Sequence, residues 1–252
     1  MDRRSATSTG SRNENLAFWD RLYQGTTSYS RELDENVERA LSSAQNFFHC
    51  KQGCRILDMG CGRGVTSLFW ANTGAEVTAI DYSVSAIAEL SERREQMGIA
   101  NIKPVVADAM AVDELGQFDY VFGSMILHHL EPFSQFVPVL RRSLKPNGRA
   151  FFYENNAASD LLIWLRKNLV GKLGVPKYGD KGESPLAPQE IDLLRGSFSV
   201  SVSYPEMLFF RLASPYLFRR HLGSVLTALD DFLYKQNVGV RYSYRQYVLL
   251  EA

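Results

Sequence analysis

Apolar and polar positions along this chain change period several times, and each change marks an element. Between residues 32 and 48, Leu33, Val37, Ala40, Leu41, Ala44 and Phe48 recur at helical spacing and predict an amphipathic helix. Leu16, Phe18, Trp19, Leu22 and Tyr23 predict another before it, after a polar, aperiodic tail over 1–12 that is expected to be mobile. From residue 54 compact apolar runs alternate with amphipathic stretches. Strands are predicted at 54–60, 76–81, 101–108, 118–125 and 149–154, and helices over 63–74, 83–97 and 132–144. Ser83 is placed to cap the second of these helices, Gly74 and Gly98 to close the first two. The order β-α-β-α-β-β-α-β predicts an α/β sandwich with parallel strands, right-handed crossovers and helices on both faces.

Beyond Glu154 the alternation breaks. A helix is predicted over 157–172, then a loop rich in Gly and Pro over 173–188, a helix over 189–194 and a strand at 198–204. A stretch rich in Phe, Leu and Arg over 206–236 precedes a last strand at 241–251. The chain therefore reads as one domain over 13–252, with leading helices to residue 50, a core over 54–154 and two insertions, 155–190 and 206–236, expected to act as lids.

Composition narrows the function only a little. Hydrophobic residues make up 45% of the 252 positions and charged residues 22%, as in an ordinary globular protein. Lys plus Arg equals Asp plus Glu at 28 each, so no overall field draws the chain to nucleic acid, and no nucleic-acid partner is expected. Cys50, Cys54 and Cys61 contain no CxxC pair, so no zinc site is expected, and Cys54 and Cys61 read as small core residues. With no signal-like start and no apolar run long enough to span a bilayer, a cytoplasmic location is expected.

The most informative segment is Ile56-Leu57-Asp58-Met59-Gly60-Cys61-Gly62-Arg63-Gly64. A buried strand ends in three glycines at alternate positions and a helix begins at once, so backbone can approach a ligand beside free helix N–H groups. One such loop also arises as a bare strand-to-helix turn, but the context adds to it. Asp81 ends the next strand, where a carboxylate can accept from two ribose hydroxyls. Asp108 ends the third, placed to accept from an adenine amino group. The spacing is G-x-G-x-G rather than the dinucleotide G-x-G-x-x-G, and Asp58 just upstream suits a sulfonium-bearing amino acid better than a pyrophosphate.

In combination LDMGCGRG, AIDYS, VVADAM, FDYVFGSMILHHL and LKPNGRAFFYE resemble the successive motifs of the class I S-adenosylmethionine-dependent methyltransferases, over residues 54 to 154. The resemblance implies a Rossmann-like, seven-stranded, mostly parallel sheet with an antiparallel last strand pair, and S-adenosylmethionine as the donor. It implies that Gly60, Gly62 and Gly64 approach the donor's amino-acid moiety, that Asp81 binds ribose, that Tyr82 lies against adenine, and that Asp108 and Ala109 meet its edge. Ser124, where the fourth strand ends, and Tyr23, in a leading helix with Trp19 and Tyr29 that can close over the donor, complete the expected set.

A sulfonium methyl is already electrophilic, so the acceptor side needs alignment and, for a hydroxyl, a proton acceptor. His128 and His129 follow the fourth strand and are candidates for that base, or residues that only pack the loop. The strand ends in Gly123-Ser124-Met125-Ile126 and lacks the Asn/Asp-Pro-Pro-aromatic run of nucleobase and amide N-methyltransferases. A small-molecule oxygen acceptor is therefore expected ahead of a carbon one, with a NAD-dependent oxidoreductase and a non-methylating relative as alternatives. Segments 161–177 and 207–222 are apolar with cations and no acid, which fits a lid over a lipid-like or lipid-linked glycan acceptor, contact with an anionic membrane, or ordinary helical cover of the sheet.

Overall fold

The computed structural model describes residues 33–169, 184–212 and 222–252. The polar tail, the helix through Trp19 and Tyr23, and Arg219 with Arg220 lie outside these. Seven strands form one sheet: β1 (Arg55–Met59), β2 (Glu76–Asp81), β3 (Ile102–Val106), β4 (Phe118–Ser124), β5 (Leu144–Asn155), β6 (Ser199–Ser203) and β7 (Arg245–Glu251). Their order is β3-β2-β1-β4-β5-β7-β6. The first five pair in parallel, and β7 runs antiparallel to both β5 and β6. The chain leaves β1 in one direction to β2 and β3, then returns past it to β4. A crevice therefore opens at the carboxyl ends of β1 and β4, where such sheets bind ligands.

Strand alternation fills two cores. Ile56, Val77, Ala79, Phe122 and Phe151 face α1 (Glu35–Phe48), α2 (Val65–Asn72) and α3 (Val84–Gln96). Their neighbours Leu57, Ile80, Val121, Phe152 and Val248 face α4 (Phe133–Ser143), with α6 (Pro188–Arg195) beyond α5 (Asp160–Leu169) in sequence. Trp70 of α2 is fully buried, its ring centroid 5.5 Å from those of Phe48 and Phe122, and so ties α1 and α2 to the middle of the sheet. Such aromatic pairs add about 0.5–1.5 kcal/mol beyond the area they bury.

Several boundaries differ from the periodicity. The helix expected at 63 begins at Val65, because Gly64 takes a left-handed φ of 79°. Residues 144–148, read as a helix stop, open β5; the pairing with β4 shifts register there and Asn147 turns at φ 61°. Pro104 sits inside β3, an edge strand where a missing N–H is tolerated. Cys54 is not a plain core thiol. Left-handed residues His49 and Gly53 fold the α1–β1 connection so that Cys50 and Cys54 meet in a disulfide. Cys61 is the buried free thiol. Among the described residues no helix is long and apolar enough to cross a membrane.

The insertions are fastened to each other at the carboxyl end of β5. Leu162 and Leu165 of α5 pack on Leu208 and Tyr244. Buried Asp230, on α7 (Gly223–Lys235), accepts from the amides of Phe209, Phe210 and Arg211 at 3.3, 3.0 and 2.8 Å. Asp230→Ala leaves these three donors unanswered, at about 1–3 kcal/mol for a buried unsatisfied group. Hydrogen exchange should then quicken at residues 209–211 and not in β1 or β4; unchanged protection at 209–211 would contradict this account of the tether.

Candidate functional site

β1 ends at Met59, and the chain turns through Gly60, Gly62 and Gly64 with φ of 69°, 52° and 79°. L side chains enter that region only at a cost of roughly 1–2 kcal/mol. Space is short as well: a Cβ on Gly60 would stand 3.0 Å from the Ile126 Cδ1, and one on Gly64 would overlap the Leu90 side chain. The loop is held from the β2 side. Cys61 N–H donates to the Ile80 carbonyl at 2.9 Å, and Gly62 N–H to Asp81 Oδ2 at 2.9 Å. Asp81 Oδ1 accepts from the Ser83 N–H at 2.9 Å, and Ser83 in turn caps α3. The helix after the loop, α2, has no side-chain cap at Gly64, so its first turn presents backbone donors to the crevice.

The candidate donor residues fall around this turn. Tyr82 is 47% exposed beside Asp81, leaving a ring face available to a flat partner. Asp108 is half-buried and caps a 3-10 turn over Ala109–Leu115 by accepting from Met110 N–H at 2.9 Å. Ser124 ends β4 opposite Tyr153. Tyr23 lies outside the described residues. Asp58 is the penultimate residue of β1. It is 1% exposed, and its Oδ2 accepts from Thr66 Oγ1 at 2.7 Å and Ser67 Oγ at 2.5 Å, so it anchors the first turn of α2 from beneath. Its neighbours Thr66 and Ser67 were not read from the sequence, although hydroxyls one turn into the helix are the signal for such an anchor.

On the other side of the crevice, residues 124–130 cross over the glycine turn, with Ile126 packed against Gly60. His128 is buried and His129 half-buried, with ring centroids 4.1 Å apart. His128 Nδ1 is 2.6 Å from Oε2 of Glu154, the penultimate residue of β5, which is fully buried. The other carboxylate oxygen, Oε1, accepts from the amides of Ile126 and Leu127 at 2.8 and 2.6 Å. Sequence reading placed Glu154 only as the last residue of a strand. Elsewhere, a groove of about 640 Å³ on the α1 side of β5, β7 and β6 is walled by Arg39, Phe151, Tyr204, Tyr234 and Tyr247 and shares no lining residue with the glycine turn.

The comparisons with known proteins agree with this geometry. The model of a family described as a methyltransferase domain matches residues 56–148. The ubiquinone biosynthesis O-methyltransferase of Pseudomonas aeruginosa is 33% identical over 100 residues, covering 39% of this chain and 43% of that protein. The protein of the same name from Ralstonia nicotianae is 34% identical over 113 residues, covering 44% and 48%. The chain thus spans less than half the length of these curated relatives. The N-methyltransferase NodS from Bradyrhizobium japonicum, solved with S-adenosylhomocysteine, superposes with a TM-score of 0.60 at 14% identity over 94% of this chain and 98% of that one. Coclaurine N-methyltransferase does so at 0.57 and 13% identity, over 98% and 89%. At such identities the likeness is one of fold. Residues 56–148 are thus similar to a methyltransferase domain, and the chain shares the fold of solved methyltransferases.

The anchor beneath the cradle has a measurable pH signature. Burial pushes the Asp58 carboxyl up from 3.8 to about 6, against the opposing hydrogen bonds from Ser67 and Thr66 and with a smaller push from the Asp81 charge. Between those values the folded protein holds a proton that the unfolded chain has released. The stability this group contributes is therefore present below about pH 4 and lost as pH rises towards 6. Over that window wild type should lose stability relative to Asp58→Asn, by at most about 1.4 kcal/mol per pH unit in urea unfolding. A difference that is flat or slopes the other way would contradict the assignment.

Proposed function

We propose that this protein transfers the methyl group of S-adenosylmethionine to a hydroxyl of a hydrophobic small molecule. When bound, the donor supplies a methyl carbon made electrophilic by its sulfonium. Gly60, Gly62, Gly64 and the first turn of α2 would take its amino-acid moiety, because a cradle without side chains and uncapped N–H groups suit a carboxylate. Asp81 would take the ribose. Tyr82 would lie on the adenine, with Asp108 and Ala109 at its edge, while Ser124 and Tyr23 would close the site. Asp58 would act through the turn it anchors.

The observation that carries the oxygen acceptor is the position of His128 and His129, on the stretch that packs against Gly60. An imidazole titrates near working pH and can take the proton a hydroxyl must lose, worth typically 10²–10⁴-fold in rate. The O-methyltransferase names of the matched relatives support the same choice. An apolar acceptor is supported by Leu161 and Trp164 of α5 and by Val225 and Phe232 of α7, all largely exposed. On this reading the two insertions are lids over the acceptor.

Calorimetry should show S-adenosylmethionine and S-adenosylhomocysteine binding and NAD not binding. Asp81→Ala should weaken both by about 1.5–3 kcal/mol, the range for hydrogen bonds to a charged group. Unchanged affinity would move the donor site elsewhere. Trp164→Ala with Phe209→Ala should raise the KM for methylation of an apolar cell extract without altering donor affinity. Sedimentation with anionic liposomes, lost in salt, would instead make the insertions a membrane-contact surface.

A further inference from the structure

We propose that Arg245 and Tyr153 form a subsite for an anionic group, a carboxylate or a phosphate, carried by the methyl acceptor at the end remote from its hydroxyl. This rests on the methyl-transfer reading above and names what else the acceptor carries. Arg245 opens β7 and pairs with Asn155 at the carboxyl end of β5. Tyr153, two residues earlier on β5, pairs with Ser124 where β4 ends. The Arg245 guanidinium carbon lies 5.3 Å from the centroid of the Tyr153 ring, and Nη1 donates to the Tyr153 hydroxyl. β7 stands two strand spacings from β4, about 10 Å. An acceptor whose hydroxyl meets the donor at the β1–β4 crevice therefore reaches Arg245 with its far end.

What singles out Arg245 is a half-buried charge without an opposite one. A guanidinium stays ionised in a protein and brings five N–H donors in a rigid fork. With Nη1 on Tyr153, the Nε–Nη2 edge of the fork remains, and Nε has no hydrogen-bond partner among the described residues. None of the ion pairs among the described residues includes Arg245. Asp34, the acid whose charge acts on it, is engaged in capping α1 through the amides of Asn36 and Val37. Arg39, on the same helix, adds a second positive charge. Burial pushes the Arg245 pKa down from its ordinary value, as desolvation does where no ion pair offsets it. A side chain kept only to cover the Tyr153 ring would be less costly as Met or Gln, because charges are rarely buried unpaired. A carboxylate or phosphate matches the two-point geometry of the remaining edge and supplies the missing charge.

The side-chain Nε–H resonance of Arg245, identified by its absence in Arg245→Lys, reads this site in the protein alone. Benzoate or phenyl phosphate, titrated at constant ionic strength, should shift that resonance saturably, and neutral benzamide should not. The anion that acts at the lower concentration tells carboxylate from phosphate. With labelled S-adenosylmethionine, wild type should methylate the part of a cell extract that an anion exchanger retains. Arg245→Gln should need on the order of 10- to 100-fold more of that fraction for half its maximal rate, with S-adenosylmethionine affinity unchanged. A resonance that moves no more with either anion than with benzamide would overturn the proposal. So would half-saturation of a folded Arg245→Gln at the wild-type amount, or methylation confined to neutral molecules. If no fraction accepts a methyl group, the methyl-transfer reading fails, and the nitrogen titration still decides the subsite.

Discussion

The crevice depends on how one carboxylate divides its hydrogen bonds. Asp81 accepts from Gly62 with one oxygen and from Ser83 with the other, so the glycine turn after β1 and the start of α3 are registered to the end of β2. Gly60, Gly62 and Gly64 all occupy left-handed conformations, and from the many shapes three glycines allow, Asp81 together with the Cys61–Ile80 bond selects one. Asp58 supports the same turn from below, and Ile126 presses on it from above. The glycine turn is thus held by contacts from β2, from β1 and from the stretch after β4.

The stretch after β4 is gathered by a second buried carboxylate, Glu154, as Asp81 gathers the stretch after β1. Asp81 accepts from the amides of Gly62 and Ser83, and Glu154 from those of Ile126 and Leu127, so each ties the stretch after one strand to the end of its neighbour. A third, Asp230, does the same for the insertions, whose cluster around Leu208 and Tyr244 is small and separate from the two sheet cores.

Much of this was legible in the sequence, for physical reasons that differ from element to element. The core strands and α1 to α4 announced themselves because their buried faces repeat with a fixed period, and Ser83 because capping is local. The G-x-G-x-G turn, Asp81 and Asp108 were legible because each sits where a strand ends. What escaped depends on contacts far apart in sequence. Glu154 reads as one polar residue after an apolar run, and its meaning comes only from residues 26 to 28 positions earlier that β4–β5 pairing brings beside it. Asp58 showed its position but not its direction, which Thr66 and Ser67 decide. The Cys50–Cys54 pairing depends on a left-handed His49 that no periodicity reveals.

The central claim is that one preformed crevice at the β1–β4 switch point takes S-adenosylmethionine. An amide NMR titration with S-adenosylhomocysteine, repeated with NAD, tests it most directly. The account predicts shifts confined to residues 60–66, 81–83, 108–110 and 124–128 with the first ligand, and none with the second. Shifts lying elsewhere, or appearing only with NAD, would contradict it.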